Sequence, residues 1–270
     1  MKRTALTLLA TALIQFGAAA QVESVLFPFM EFSHDAVRAA MGGVSLLQDR
    51  NDVALSYQNW SASSTSYANL DAAATFGSLT LKAGVTAGII ADAEASGISE
   101  KMISIGAGYR FSRMLAAEVK GRYCSAGCSP DASASGFNAD ALFKGFFKDA
   151  RVALGVTGLG PRVQGFRQPS ALAFAGACGK EFGEGTDTHS IEAEIDVKYY
   201  LVGAVAASAG VEYCYNRLLS VRAGAHAGGI TGTHASVGLG LSLKGFHIDG
   251  CYLAGGQITN SFCIGLGYRF

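Results

Sequence analysis

The last ten residues constrain the fold more than any other stretch. In Ser261–Phe270 one set of alternate positions reads Phe262, Ile264, Leu266, Tyr268, Phe270, and the other reads Ser261, Cys263, Gly265, Gly267, Arg269. Successive side chains of a strand point to opposite faces, so this segment has one wholly apolar face and one small or polar face. The period recurs upstream. Ile191, Ala193, Ile195, Val197 and Tyr199 alternate with Glu192, Glu194, Asp196 and Lys198; Leu115, Ala117, Val119 and Tyr123 alternate with Glu118, Lys120 and Arg122. Ala235, Val237, Leu239, Leu241 and Leu243 alternate with His234, Ser236, Ser242 and Lys244, and Glu212 and Cys214 sit between Val211, Tyr213 and Tyr215. A helix would scatter these sets around its surface. The chain is built of half-buried strands.

Two architectures use such strands: a soluble sandwich, whose polar faces meet water, and a membrane barrel, whose polar face lines a lumen. Here the polar face mixes Gly and Ser with charges of both signs, which suits a narrow lumen filled by side chains. The aromatics Phe111, Tyr123, Phe147, Tyr213, Tyr215, Phe246 and Phe270 fall at strand ends, where interfacial girdles belong. The start of the chain agrees. Lys2 and Arg3, the apolar run Ala5–Phe16 and the small residues Gly17–Ala20 read as a signal peptide cleaved before Gln21. No later apolar run reaches the roughly 20 residues of a spanning helix. Of 21 basic residues, Lys2 and Arg3 belong to the leader, leaving 19 against 21 acidic ones, so a nucleic-acid partner gets no support. With 35 Gly and only 4 Pro, the composition disfavours helices and suits barrel strands. The expectation is an all-β, transmembrane, antiparallel up-and-down barrel in the outer membrane, held in lipid. Leader 1–20, a plug segment 21–52 and a barrel 53–270 make up the chain.

Turn signals mark thirteen strands between residues 65 and 270. The tight connections Phe111-Ser112-Arg113, Lys148-Asp149, Asn216-Arg217 and Lys244-Gly245 all fall on the C-terminal, periplasmic side. Ala91–Gly97, Ser125–Ser135 and Leu159–Pro169 read as long outer loops. A strand at 65–77 runs inward and requires an outward partner, which Val53–Trp60 supplies, giving fourteen strands. Were 65–77 part of an internal plug instead, the barrel would have twelve.

Before the barrel, Ser33 or Asp35 can cap a short helix over Ala36–Met41 that Gly42-Gly43 stops. This segment would lie inside the barrel or across its periplasmic mouth. The stretch Asp35–Ala62, "DAVRAAMGGVSLLQDRNDVALSYQNWSA", resembles the start of the FadL-like barrels, most closely the PorV/PorQ branch of Bacteroidetes. The resemblance rests on Arg38, on Met41-Gly42-Gly43, on the acidic turn Asp49–Asp52 and on Asn59; Trp60-Ser61 stands where that branch has Pro-Ala. Ala150–Phe182, with its strand, Leu-Gly-Pro loop, Pro and strand, is similar to a second segment of the family. Tyr268 and Phe270 resemble the C-terminal signal read by the barrel-insertion machinery. The resemblance implies a fourteen-stranded barrel with an N-terminal plug. It also implies type IX secretion partners, either components of that system or the C-terminal signal domains of its cargo.

No catalytic constellation is present, and no cofactor or metal is expected. The charged residues Glu118, Lys120, Arg122, Glu192, Glu194, Asp196, Lys198, Glu212, Arg222, Lys244, Asp249 and Arg269 read as lumen-facing. The acidic row Glu192, Glu194, Asp196 is expected to pair with cations such as Lys198, Lys180, Arg222 and Lys244. His226 and His234 can face each other across a hairpin, without an evident third metal ligand. In an oxidising compartment, Cys124 could bridge Cys128 across a loop turn and Cys251 could bridge Cys263 across the last hairpin. The leading functional expectation is a non-enzymatic accessory of type IX secretion or surface attachment. The alternatives are a FadL-like channel for a small hydrophobic ligand, needing an apolar pocket near Phe27, Phe29 and Phe32, and a structural barrel without transport.

Overall fold

The structure, a computed structural model, describes residues 27–47, 50–60, 65–90, 98–129, 132–163, 168–182, 188–229, 232–255 and 260–270. The expected leader, the acidic residue Asp49 and the loop 91–97 lie outside them. Fourteen strands follow a short N-terminal segment: β1 (Asp52–Trp60), β2 (Thr65–Phe76), β3 (Leu79–Ile90), β4 (Ile98–Arg110), β5 (Leu115–Ser129), β6 (Ala132–Phe146) and β7 (Ala150–Leu159). The second half comprises β8 (Ala171–Phe182), β9 (His189–Tyr200), β10 (Val205–Tyr215), β11 (Leu219–Gly228), β12 (His234–Leu243), β13 (Phe246–Ala254) and β14 (Ser261–Arg269).

Each strand pairs antiparallel with its neighbours in sequence, and β14 returns to β1, closing the barrel. The closing seam runs in register from Asp52 opposite Arg269 to Asn59 opposite Phe262. Past the last ladder pair, the Phe270 amide donates to the Asn51 carbonyl (3.2 Å). β2 is a wall strand paired on both sides, so the twelve-strand alternative is excluded.

Local chemistry sets the turns. At the β10–β11 connection Asn216 and Arg217 both adopt positive φ (50° and 53°), and at β12–β13 Lys244 and Gly245 do the same (51° and 88°). Two consecutive positive-φ residues match the twist of the flanking strands. Lys244 is therefore an exposed turn residue and not a lumen charge, a correction to the alternating pattern that seemed to include it. A second correction concerns Ser125–Ser135. The β5–β6 ladder runs on through most of this segment, with a register shift between Gly127 and Ser129. The sequence there is poor in apolar residues, so it carries no period-two signal although its backbone is paired.

The apolar set of every strand faces outward. Leu239 is 62% exposed, as are neighbours such as Val237, Leu241, Ile248, Ile264 and Leu266 to similar degree. Such a continuous apolar belt is unstable in water and is what a barrel wall presents to lipid. Phe76, Phe111, Phe147, Phe246 and Phe270 are exposed near the rim that carries the C terminus. We predict that Leu239→Arg, at the middle of β12, destabilises the protein in lipid vesicles by roughly 2–4 kcal/mol. Urea unfolding followed by heat-modifiable gel mobility would read this. An unchanged midpoint would mean that this belt does not meet lipid.

Candidate functional site: the plugged lumen

The N-terminal segment enters the barrel. After a 3₁₀ turn at Pro28–Met30 comes α1 (Ala36–Ala40). Asp35 is the N-cap: its carboxylate accepts the Arg38 amide (2.9 Å), filling one of the donors a helix start leaves open. Gly42 and Gly43, at φ 75° and 84°, end the helix. The face of α1 is alanine, and Ala36, Ala39 and Ala40 pack on Cys251, Leu253 and Cys263.

The wall beneath is correspondingly flat. A Cβ added to Gly238 would meet the Ala40 side chain at 2.5 Å, and one added to Gly265 would meet Ala36 at 3.1 Å. At Gly210 and Gly224 it would run into the backbone or Cβ of Met41 and Gly42. In return, a Cβ at Gly42 would meet Ala225 and Ala209 backbone atoms at 2.5–2.8 Å. Glycine on both sides brings plug and wall into backbone contact.

Hydrogen bonds lock this docking. The Ser236 hydroxyl donates to the Ala40 carbonyl (2.9 Å) and accepts the Gly42 amide (3.0 Å). Asp196 accepts the Ser45 and Leu46 amides (2.7 and 3.2 Å), and Glu194 accepts the Leu47 amide (3.4 Å). The Tyr200 hydroxyl donates to Glu31 (2.6 Å). Glu194 and Asp196 thus hold the plug's backbone, where cationic side chains were expected; among the described residues Glu192 alone of the three forms a direct ion pair, with Arg151, while Lys198 acts on Asp196 from a distance.

α1 lies against β11–β14 and β1, leaving space along the opposite wall. There a central cavity of about 150 Å³ is bounded by the plug on one side and by β2–β7 and β9 on the other. Its lining is charged: Arg38, Lys82, Lys120, Arg122 and Lys198 with Glu31, Asp35, Asp71, Glu118 and Asp140. Toward the C-terminal rim lie two vestibules. One holds Glu118 and Lys144, the other Arg50, Arg151, Glu192, Glu212 and Arg269, and Asn51 lines both.

Ion pairs organise these spaces. Glu118 receives Lys82 (2.8 Å) and Lys144 (2.7 Å). Arg122 is paired with Asp140, which also accepts the Gly158 amide (2.8 Å). Arg222 is paired with Glu212 and with Asp249 (2.6 Å), and Asp249 in turn takes His247 (2.7 Å).

Two plug residues are electrostatically perturbed. His34 has its pKa lowered, chiefly by burial; its Nε2 hydrogen-bonds the Phe29 carbonyl (3.1 Å) and its Nδ1 lies 3.2 Å from the Gln58 amide. Burial works against the Asp35 carboxylate, but Arg50, Arg38 and the Arg38 amide more than offset it and hold its pKa below the usual value.

Other expected sites find their places as follows. Cys124 and Cys128 lie four residues apart on β5, about 13 Å along an extended strand, beyond the reach of a disulfide. Cys124 is a buried free thiol, and the side chain of Cys128 lies outside the description. Cys251 and Cys263 are opposite each other in register, yet both are free thiols under α1; the Cys263 thiol donates to the His34 carbonyl (3.8 Å). His226 and His234 stack across β11–β12 with ring centroids 4.9 Å apart, and His226 Nδ1 meets the Ser208 hydroxyl (2.8 Å). Asn59 donates to Ser66 (3.3 Å), while Trp60 turns inward against Phe32. Trp60, Ser236 and the lumen charges Asp71, Lys82, Asp140, Lys144 and Arg151 were contributors that sequence reasoning missed. The inward phase of their strands was the signal for them.

No family model matches the sequence, and no curated protein matches it. Among solved structures it is similar to the P. putida toluene transporter TodX, at 12% identity and TM-score 0.57, over 89% of this chain and 99% of that one. It is also similar to the CymD monoaromatic hydrocarbon channel (10%, TM-score 0.56, 87% and 97%). A third is the Acinetobacter baumannii outer membrane protein Omp33 (9%, TM-score 0.53, 81% and 97%). These likenesses establish the fold as that of outer-membrane barrels.

Trp60 is the chain's one Trp and packs on the plug, so its fluorescence reports plug docking. Gly42 and Gly77 both have positive φ, but Gly77 has open space around it. Gly77→Ala should cost about 1–2 kcal/mol for conformation alone. Gly42→Ala should lower the urea midpoint of the Trp60 transition clearly further; equal effects would refute the close contact. A depressed histidine pKa gives stability that is full above the ordinary value of 6.5 and declines as pH falls below it, because the undocked ring takes up a proton that the docked ring refuses. The Trp60 midpoint should therefore fall between pH 8 and pH 5, and His34→Gln should flatten that dependence.

Proposed function

We propose that this protein is a plugged outer-membrane channel for small polar solutes. The observation that carries this reading is the space left beside the plug: a charged cavity in the lumen, with two vestibules between it and the rim. The fold-level likeness to channel barrels supports it. The cargo by which those neighbours are named, toluene and monoaromatic hydrocarbons, fits this lumen poorly. Phe27 and Phe29 are packed against Tyr67, Cys124 and Ala134, and Phe32 against Trp60, so the aromatic side chains that an apolar pocket required are occupied by the protein itself.

The second reading, an accessory of type IX secretion, draws on the resemblance of Asp35–Ala62. Its Met41-Gly42-Gly43 core is one of several parts of the plug that touch the wall, and a plugged channel uses that contact as well. Insertion by the barrel machinery is part of either reading and rests on Tyr268 and Phe270, both exposed at the C-terminal rim.

Three measurements separate these readings. Full-length protein reconstituted in planar bilayers should give discrete unit conductances, and its deletion should slow uptake of small polar solutes. Silent bilayers, unchanged uptake and co-purification with secretion components from detergent extracts would replace the channel with the accessory.

A further inference from the structure

We propose that the lumen selects small anions, which bind in the central cavity at Lys120 and Lys198 and pass to the vestibule through a gate made of Lys82, Glu118 and Lys144. The inference deepens the channel reading and rests on it.

The gate follows from position. Glu118 lines both the central cavity, with Lys82, and the first vestibule, with Lys144. The three residues lie on β3, β5 and β6, and β4 between them contributes Gly106 and Gly108 to its inner face, opposite Lys82 and Glu118. That absence of side chains lets the Lys82 ammonium reach across a strand to the carboxylate at 2.8 Å. What separates the two spaces here is a set of flexible side-chain tips. Rotating them joins the spaces without any movement of the wall.

The site follows from which charges are already paired. At the gate one carboxylate, Glu118, lies between two ammonium groups. Inside the cavity, Asp140 is taken by Arg122 and the Gly158 amide, and Asp35 by Arg50 and the Arg38 amide. Asp196, two residues from Lys198 on the same face, is turned to the plug amides. Asp71 accepts from Asn69 (2.8 Å) and Glu31 from Tyr200, neutral donors that leave both carboxylates charged, but neither forms an ion pair with Lys120 or Lys198. Lys120 and Lys198 have neither an ion-pair nor a hydrogen-bond partner among the described residues. A partly desolvated ammonium group without a counter-ion is unfavourable, and an anion between plug and wall relieves it. Low-dielectric walls focus the same field along the lumen, favouring anion entry.

The test uses full-length protein in planar bilayers under a potassium chloride gradient, with succinate as the carboxylate probe. The wild-type reversal potential should lie on the chloride side, and succinate should reduce the chloride current. Lys120→Met combined with Lys198→Met should move the reversal potential toward zero and abolish the succinate effect. Glu118→Gln should raise unit conductance while keeping anion preference; heat-modifiable mobility verifies that each variant is folded. Three results would each overturn the proposal while leaving the channel standing: unselective or cation-selective wild-type current, indifference to succinate, or a Glu118→Gln conductance equal to wild type. A wild type that conducts nothing would overturn both.

Discussion

Closure of β1 on β14 is the constraint from which the rest of the structure follows. In hydrocarbon an unpaired backbone N–H or C=O costs several kcal/mol, so a sheet in lipid must leave no edge. The seam meets this demand from Asp52–Arg269 to Asn59–Phe262, and the Phe270 amide extends it by one bond to Asn51. Closure in turn fixes the phase of every side chain. A one-residue slip at the seam would turn Leu266 and Ile264 into the lumen and Gly265 and Cys263 into lipid. The apolar belt and the polar lumen are therefore consequences of one register.

Closure also sets a volume problem. Barrels of about eight strands are filled by their own side chains, whereas those of about sixteen to eighteen leave an aqueous channel. Fourteen strands fall between. Here glycines 238 and 265 face α1 and glycines 210 and 224 face the Met41-Gly42 turn after it; they fill nothing and leave room for a helix whose own face is alanine. The plug occupies that half of the lumen, and long charged side chains on β3, β5, β6 and β9 partly occupy the other. The division of the lumen into a packed side and an open, charged side is written in residue size: small on small where α1 docks, long and charged along much of the opposite wall.

Much of this was legible beforehand because a strand's periodicity is local. Phe262 to Phe270 declares its own face without reference to any partner, and parity then required β1. The short helix could be read from Asp35, the alanines and Gly42-Gly43, since caps and breakers are also local. What failed was the nature of the partners. Glu192, Glu194 and Asp196 announce a shared face, but the groups that Glu194 and Asp196 bind are backbone amides of residues 45–47, which no letter of the sequence marks. Ser125–Ser135 looked like a loop because glycine and serine hide the period, and that error placed Cys124 and Cys128 on a turn when they stand along one strand. Lys244 continued the alternation in letters only; a positive-φ turn residue points where the turn directs it.

The charged half of the lumen argues against a hydrocarbon cargo on physical grounds. Transferring an ionised side chain from water to an apolar medium is so costly that such groups persist only when paired or hydrated. Glu118 with its two lysines, Arg122 with Asp140, and Arg222 with Glu212 and Asp249 satisfy the first condition. Lys120 and Lys198 have no such partner among the described residues, so water or an anion is the partner that the cavity beside them can supply. A hydrocarbon entering it would displace that partner and gain little contact in return, because the aromatic residues closest to the plug already pack on each other or on the wall. A solute that carries its own negative charge replaces water at those ammonium groups without leaving them unpaired, and leaves again by exchanging them for water. Selection by charge and release by hydration are then two aspects of the same incomplete pairing.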